Sequence, residues 1–344
     1  MQIQRSVRVL TFRRLLSGQI PSVKASMDEF HRDPLKLIIF PIKRDKLFVY
    51  LKHTDDLVNK RSKILAAEDW LVSKTLYFWS KLQNSPKSYN KKIVRTLNKL
   101  IDSASWQESS FLTIPGENYI LKRLHLNQEA KKDEGNRIPE CRTTTSNLSL
   151  ASVPTTLITH TEYRDSYPKP QLQPVNVYYP AHNGITPLSI LSNLHVMTRE
   201  GLSVHKKNMI RDLLLLPLTF PIVMVPLIPN IPGFYLAYRV YCNFKAYLGA
   251  KHLDTLLRRE TNCVGYEDAK KNENGVSHEH CVLRFCELEP YSESIRGSGE
   301  QLSEGDVDKI VDLLSVQRVK TALLKSVRQE CLATEKSTGG SAIR

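Results

Sequence analysis

Hydrophobic side chains recur along this chain at two periods, one suited to strands and one to helices. Leu35–Phe40 and Lys46–Leu51 are short runs rich in strand formers. Pro41–Asp45 between them predicts a turn or connecting loop. From about Asp55 to Gln83, Leu57, Ile64, Leu71, Leu76 and Trp79 recur at helical intervals among Lys and Glu. A further helix begins near Pro86, with Tyr89, Ile93, Leu97 and Leu100 or Ile101 on one stripe and Ser103 near its end. Pro115-Gly116 marks a turn, and Glu117–Glu129 reads as one more helix. Together these segments predict an N-terminal α+β half over 28–130.

Residues 131–173 are charged, then rich in Thr and Ser, then rich in Pro, with little periodicity, and predict a flexible linker. Order returns at Pro174–Pro180, a strand. A helix from Pro187 to about Glu200 follows, and another from Ser203 runs into an apolar stretch, so 174–260 makes a C-terminal half. The polar loop 261–302 contains an edge strand at Cys281–Glu289. Last comes an amphipathic helix over 303–334, capped by Ser303 and Asp306. Its apolar stripe of Val307, Ile310, Val311 and Leu314 is a candidate contact face for a partner helix. The expected fold class is α+β, mostly helical, with a small β-sheet and one proline-rich hydrophobic segment that is a membrane candidate.

That segment is Leu213–Tyr238, uncharged throughout, with Arg211 and Asp212 before it and Arg239 after it. A membrane crossing needs about 20 predominantly apolar residues, so the length permits one. Tyr235 and Tyr238 beside Arg239 have the composition of an interfacial belt. Pro217, Pro221, Pro226, Pro229 and Pro232 fall inside it, and an interior helix proline costs about 3 kcal/mol. A straight, regular helix is therefore excluded. Three arrangements remain: a kinked crossing, a hairpin broken near 226–233 that dips into one leaflet, and a segment buried in a soluble core. The first two place the chain at a membrane. Transport by this chain alone is not expected, because the stretch lacks the ionisable side chains that carry ions or protons across a bilayer.

Charge adds a compartment. The chain carries 49 Lys and Arg against 35 Asp and Glu, a net of +14. Residues 1–27 hold Arg5, Arg8, Arg13, Arg14 and Lys24 and no acid, with Ile3, Val7 and Leu10 opposite the first two arginines at helical spacing. This predicts a mitochondrial transit peptide cleaved near 16/17, within Arg14-Leu15-Leu16-Ser17. The remaining excess is spread thinly, with no basic block interleaved with aromatics, so nucleic acid is not an expected partner. None of the six cysteines forms a C-x-x-C pair, and His278, His280, Cys281 and Cys286 match no zinc-site spacing. There is no phosphate-cradling glycine loop, no H-E-x-x-H and no nucleophile elbow. No catalytic residue, cofactor or metal ligand is therefore assigned, and the chain is not expected to be an enzyme.

Residues Pro226–Arg239, with Ala246, Gly249, His252 and Leu253, resemble the mitochondrial K+/H+ exchange-related family of fungi. Ile39-Phe40-Pro41-Ile42, Trp70, Lys74, Trp79 and Val177–Pro180 carry the same resemblance, which spans most of 33–260. It implies a matrix-facing protein of the mitochondrial inner membrane that contributes to K+/H+ exchange and so to matrix potassium and volume homeostasis. The role implied is that of an accessory subunit or regulator in a larger complex that includes LETM-domain proteins. The resemblance brings no catalytic set with it. Candidate contacts with lipid or partners are Pro226, Pro229, Asn230, Pro232, Tyr235, Tyr238, Arg239 and Lys245. The alternative is a soluble matrix scaffold or assembly factor whose apolar segment lies in its core.

Overall fold

The computed structural model describes residues 20, 22–125, 155–166, 172–181, 184–219, 231–270, 283–295 and 301–339. β1 (Ser22–Ala25) leads into α1 (Met27–Arg32), β2 (Leu35–Lys43) and β3 (Lys46–His53). Three helices follow: α2 (Lys63–Gln83), α3 (Ser88–Asp102) and α4 (Trp106–Leu112). A small antiparallel pair, β4 (Lys122–His125) and β5 (Thr155–Ile158), precedes α5 (His160–Asp165) and β6 (Val175–Tyr179). Two long helices come next, α6 (Pro187–Leu215) and α7 (Ile231–Lys270). β7 (Leu283–Leu288), α8 (Glu289–Ile295), α9 (Glu304–Leu313) and α10 (Lys320–Gly339) complete the described chain.

The fold is mostly helical around a small mixed sheet of order β1-β7-β6-β2-β3, parallel except for the β2/β3 hairpin. Side chains alternate between its faces, as the pleat requires. Leu37, Ile39, Val49, Val177 and Phe285 face α6 and α7, meeting Ile190, Leu194, Ala250 and Leu253. Ile38, Phe40, Phe48, Tyr178 and Leu288 face the other way, onto Phe30, Tyr291 and α9 with α10. With both faces covered, β2 and β3 read as nearly continuous apolar runs instead of alternating ones. The free edge of β3 is covered by α4, where the Ser110 hydroxyl accepts from the Val49 N–H at 2.9 Å and donates to the Val49 carbonyl at 3.0 Å.

Several expectations are corrected by these contacts. β2 continues through Pro41–Lys43, so the turn is only Arg44-Asp45. Helix α2 begins at Lys63, after a short 3-10 turn at Asp55–Leu57. Glu117–Tyr119 is likewise a 3-10 turn, and β4 occupies Lys122–His125 where a helix was expected; pairing with the distant β5 overrides the local helical pattern. The segment around Cys286 is not an edge strand. β7 pairs with β6 on one side and with β1 on the other, and β1 comes from the end of the segment read as a leader. The terminal amphipathic segment is two helices, α9 and α10, separated by a turn at Gln317–Val319. Residues 1–19 and 21 of the leader, 126–129 of the expected helix, 131–154 and 167–171 of the linker, and Cys281 lie outside the described residues.

Helix α6 is one helix where two were expected. Its start is set by a Thr186/Ser189 capping box with Pro187 at the first position. Gly201, inside the continuous helix, serves close packing: a Cβ there would sit 2.4 Å from the Phe111 ring.

Candidate membrane and partner surface

α6 and α7 pack along one another and run antiparallel: Asp212 near the end of α6 meets Asn243 in the first half of α7, while His195 near the start of α6 lies by Asp254 and Arg258 farther along α7. The apolar stretch is consequently the far end of a helical hairpin. Its first part closes α6 and the 3-10 turn Leu216–Thr219, its last part opens α7, and 220–230 lies outside the described residues. Pro226, Pro229 and Asn230 fall in that interval. Among the described residues no helix is long and apolar enough to cross a membrane.

Among the described residues of the stretch Thr219 and Gly233 are buried, but the large apolar side chains are mostly exposed. Leu213 is 52% exposed, Leu214 and Leu218 are both 71% exposed and Phe234 is 72% exposed. Leu215, Pro232 and Tyr238 are exposed as well, and Tyr235 is half-buried. Scattered exposed apolar residues are ordinary, but a cluster at one end of two helices marks a contact surface.

Behind this end the hairpin seam is polar and buried. The two nitrogens of the Arg239 guanidinium donate to Glu108 of α4 at 2.6 and 2.9 Å, a bidentate pair with both side chains largely out of water. Asn243, fully buried, donates to Asp212 at 3.1 Å and to the Arg239 carbonyl at 3.0 Å. Its side-chain oxygen lies 3.1 Å from His205 Nδ1, and since an amide oxygen only accepts, that nitrogen carries the proton. Asp212 also accepts from its neighbour Arg211. Burial pushes the Cys242 thiol up, so it remains protonated.

A second network ties the hairpin to α2. Glu68 accepts from Tyr119 at 2.5 Å, from Lys245 at 2.6 Å and from Tyr241 at 2.7 Å. Burial alone would raise the Glu68 carboxyl, yet these donors hold it below its ordinary range. Arg239 and Lys245, expected to meet lipid headgroups or partners, are thus held in ion pairs within the protein. Val307, Ile310 and Leu314, expected as a partner face, are at most 1% exposed and pack into the chain's own second core cluster.

Sequence reasoning missed the acids and amide of these networks, Glu68, Glu108, Asp212 and Asn243. The available signal was slight: Asp212 closes the charged approach to the apolar run, and Asn243 falls one helical turn after Arg239. Among the described residues no three His, Cys, Asp or Glu side chains converge on a metal position. His278, Glu279, His280 and Cys281 lie outside them.

Burial lowers the His205 pKa below its ordinary 6.5, against smaller opposing contributions from Asn243 and Glu108. The unfolded chain therefore binds the proton more readily, and this histidine's contribution to stability, complete above pH 6.5, is lost as pH falls through the folded value. Urea unfolding between pH 7 and 5 is expected to show a steeper loss of stability for the wild type than for His205→Gln, which does not titrate. Parallel curves would remove His205 from the acid response.

The fold and this surface define a class: a mixed sheet covered by helices on both faces, bearing a helical hairpin with an apolar end and a charged, buried seam. The chain belongs to the mitochondrial K+-H+ exchange-related family, whose model matches residues 36–257 and so the sheet core and the hairpin together. An uncharacterized protein of Saccharomyces cerevisiae is 40% identical over 331 residues, covering 91% of this chain and 90% of the relative. An uncharacterized protein of Schizosaccharomyces pombe is 38% identical over 88 residues, covering 26% of this chain and 38% of the relative. No solved structure matches the chain.

Proposed function

We propose that this protein is an accessory subunit or regulator of mitochondrial K+/H+ exchange, held on the matrix side of the inner membrane and contributing to matrix potassium and volume homeostasis. The observation that carries the reading is the exposed hairpin end in a chain whose family is tied to this exchange. The end is apolar and without charge from Leu213 to Tyr238. Such an element suits attachment to a bilayer, whereas an ion pathway requires polar or ionisable groups at membrane depth. The protein therefore acts with other membrane components in a larger complex, LETM-domain proteins among them, and does not transport by itself.

Potassium-acetate swelling of de-energised mitochondria tests this reading. Organelles lacking the chain are expected to swell more slowly, with the deficit deepened where LETM-domain factors are also missing. Unchanged swelling in all of these backgrounds overturns it.

A further inference from the structure

The hairpin end has a charged collar, and the collar specifies the surface it meets. Lys206 and Lys207 of α6 are exposed and form no ion pair among the described residues. Lys207 lies one heptad before Leu214, on the same outward stripe of the helix. At 1.5 Å rise per residue, and about 2 Å in the 3-10 turn, Leu218 stands about 18 Å beyond Lys207 along the axis. Half of a bilayer's hydrocarbon core is about 15 Å, and a lysine stem reaches several ångströms toward the phosphates. With these lysines among the phosphates, Arg211 lies about 6 Å further in, at the hydrocarbon boundary, and Leu218 about 12 Å inside the leaflet.

The opposite helix of the hairpin reaches polar ground about 6–8 Å further in than the lysines, at the hydrocarbon boundary. Arg239 meets Glu108, and Asn243 meets Asp212, immediately behind Leu213. Drawing this network into hydrocarbon would desolvate the partly exposed Arg211, so it sets a stop for insertion. Arg211 adds little attraction of its own because Asp212 shares its charge. Tyr238, 37% exposed, sits at the base of the apolar end, where an amphipathic ring prefers the interface.

We propose that the α6–α7 hairpin inserts end-on into one leaflet of an anionic phospholipid bilayer, with Lys206 and Lys207 against the lipid phosphates. This rests on the membrane attachment proposed above and adds the lipid class, the headgroup-binding residues and the depth. Positive residues near an anionic surface contribute additively, so two lysines amount to roughly ten- to thirtyfold in affinity.

Flotation of the full chain with vesicles tests the lipid class. Vesicles of phosphatidylcholine mixed with phosphatidylglycerol are expected to bind the wild type about tenfold or more tightly than phosphatidylcholine alone. Lys206→Gln with Lys207→Gln should erase that preference and leave the weaker binding to neutral vesicles. Leu214→Ser, Leu218→Ser and Phe234→Ser together should remove binding to both, with an unchanged melting curve showing the fold intact. Equal binding of the wild type to both vesicles overturns the proposal. So does a wild type that binds neither but forms a dimer lost in the Ser variant, which assigns the end to a second copy of the chain.

Acyl-brominated lipid tests the depth. Leu218→Trp should add a strongly quenched signal, whereas Val204→Trp, one turn before the lysines, should add an unquenched one. Equal quenching of the two means the helix lies flat and overturns the end-on geometry. If swelling depends on the chain while vesicle binding shows no anionic preference, the lipid proposal fails and the exchange reading stands. The reverse pattern sinks the exchange reading alone.

Discussion

Glu108→Ala is expected to lower the unfolding free energy by about 3–5 kcal/mol, because it strands a buried guanidinium. Glu108 is 5% exposed, and both of its oxygens are engaged by Arg239. An exposed ion pair would be worth about 0–1 kcal/mol, so the size of the loss reports the burial as much as the contact. The conservative Glu108→Gln keeps one acceptor and should lose less. The double variant Glu108→Leu with Arg239→Met removes both charges and should recover most of the loss, since apolar replacement of a buried pair is often neutral. Urea denaturation of the wild type and these three variants measures the losses. A loss below about 1 kcal/mol for Glu108→Ala would mean that solvent reaches Arg239 and that the pair behaves as a surface one.

That pair also explains why some of the chain was legible from its sequence and some was not. The β2/β3 hairpin, β6, α3 and the start of α6 were readable because each is fixed by near neighbours: strand-forming runs, a Pro, or a capping residue. The place of β7 was not. Its local pattern of polar residues around Leu283–Leu288 resembles an edge, and only the return of β1 from the far end of the chain turns it into an interior strand. The continuity of α6 past Glu200 was not legible either, because what Gly201 serves there is the close approach of the Phe111 ring, supplied by α4.

The candidate site divides in the same way. That Leu213–Tyr238 is exceptional was plain from an uncharged run, and the prolines excluded a rod. The roles of Arg239 and Lys245 were assigned by their position beside that run, yet Glu108 and Glu68, remote in sequence, claim them. Lys206 and Lys207 escaped notice because a pair of lysines on a helix is ordinary. They acquire meaning only when the antiparallel packing of α6 on α7 turns the apolar run into an end with a collar.

Gly249→Ala tests the packing that holds this hairpin to the scaffold. In an exposed helix the change would stabilise by about 1 kcal/mol, since Ala is the better helix former. Here the added Cβ would lie 2.2 Å from the Phe111 carbonyl oxygen and 2.6 Å from that of Ile114. Those atoms are backbone and cannot rotate aside, so α4 or α7 must move. The expected result is a loss of about 3 kcal/mol, at the upper end of what overpacking costs. Gly201→Ala meets the Phe111 ring and not its backbone, and a ring can shift, so about 1–2 kcal/mol is expected there. Helix α4 is a single short element, and displacing it at Phe111 also displaces Glu108. Gly249→Ala combined with Glu108→Ala should therefore cost clearly less than the sum of the two, because the first change already loosens the ion pair that the second removes. Full additivity in urea denaturation would mean that α4 yields at Phe111 alone. A stabilised Gly249→Ala would mean that the close approach of α7 to α4 does not exist in solution.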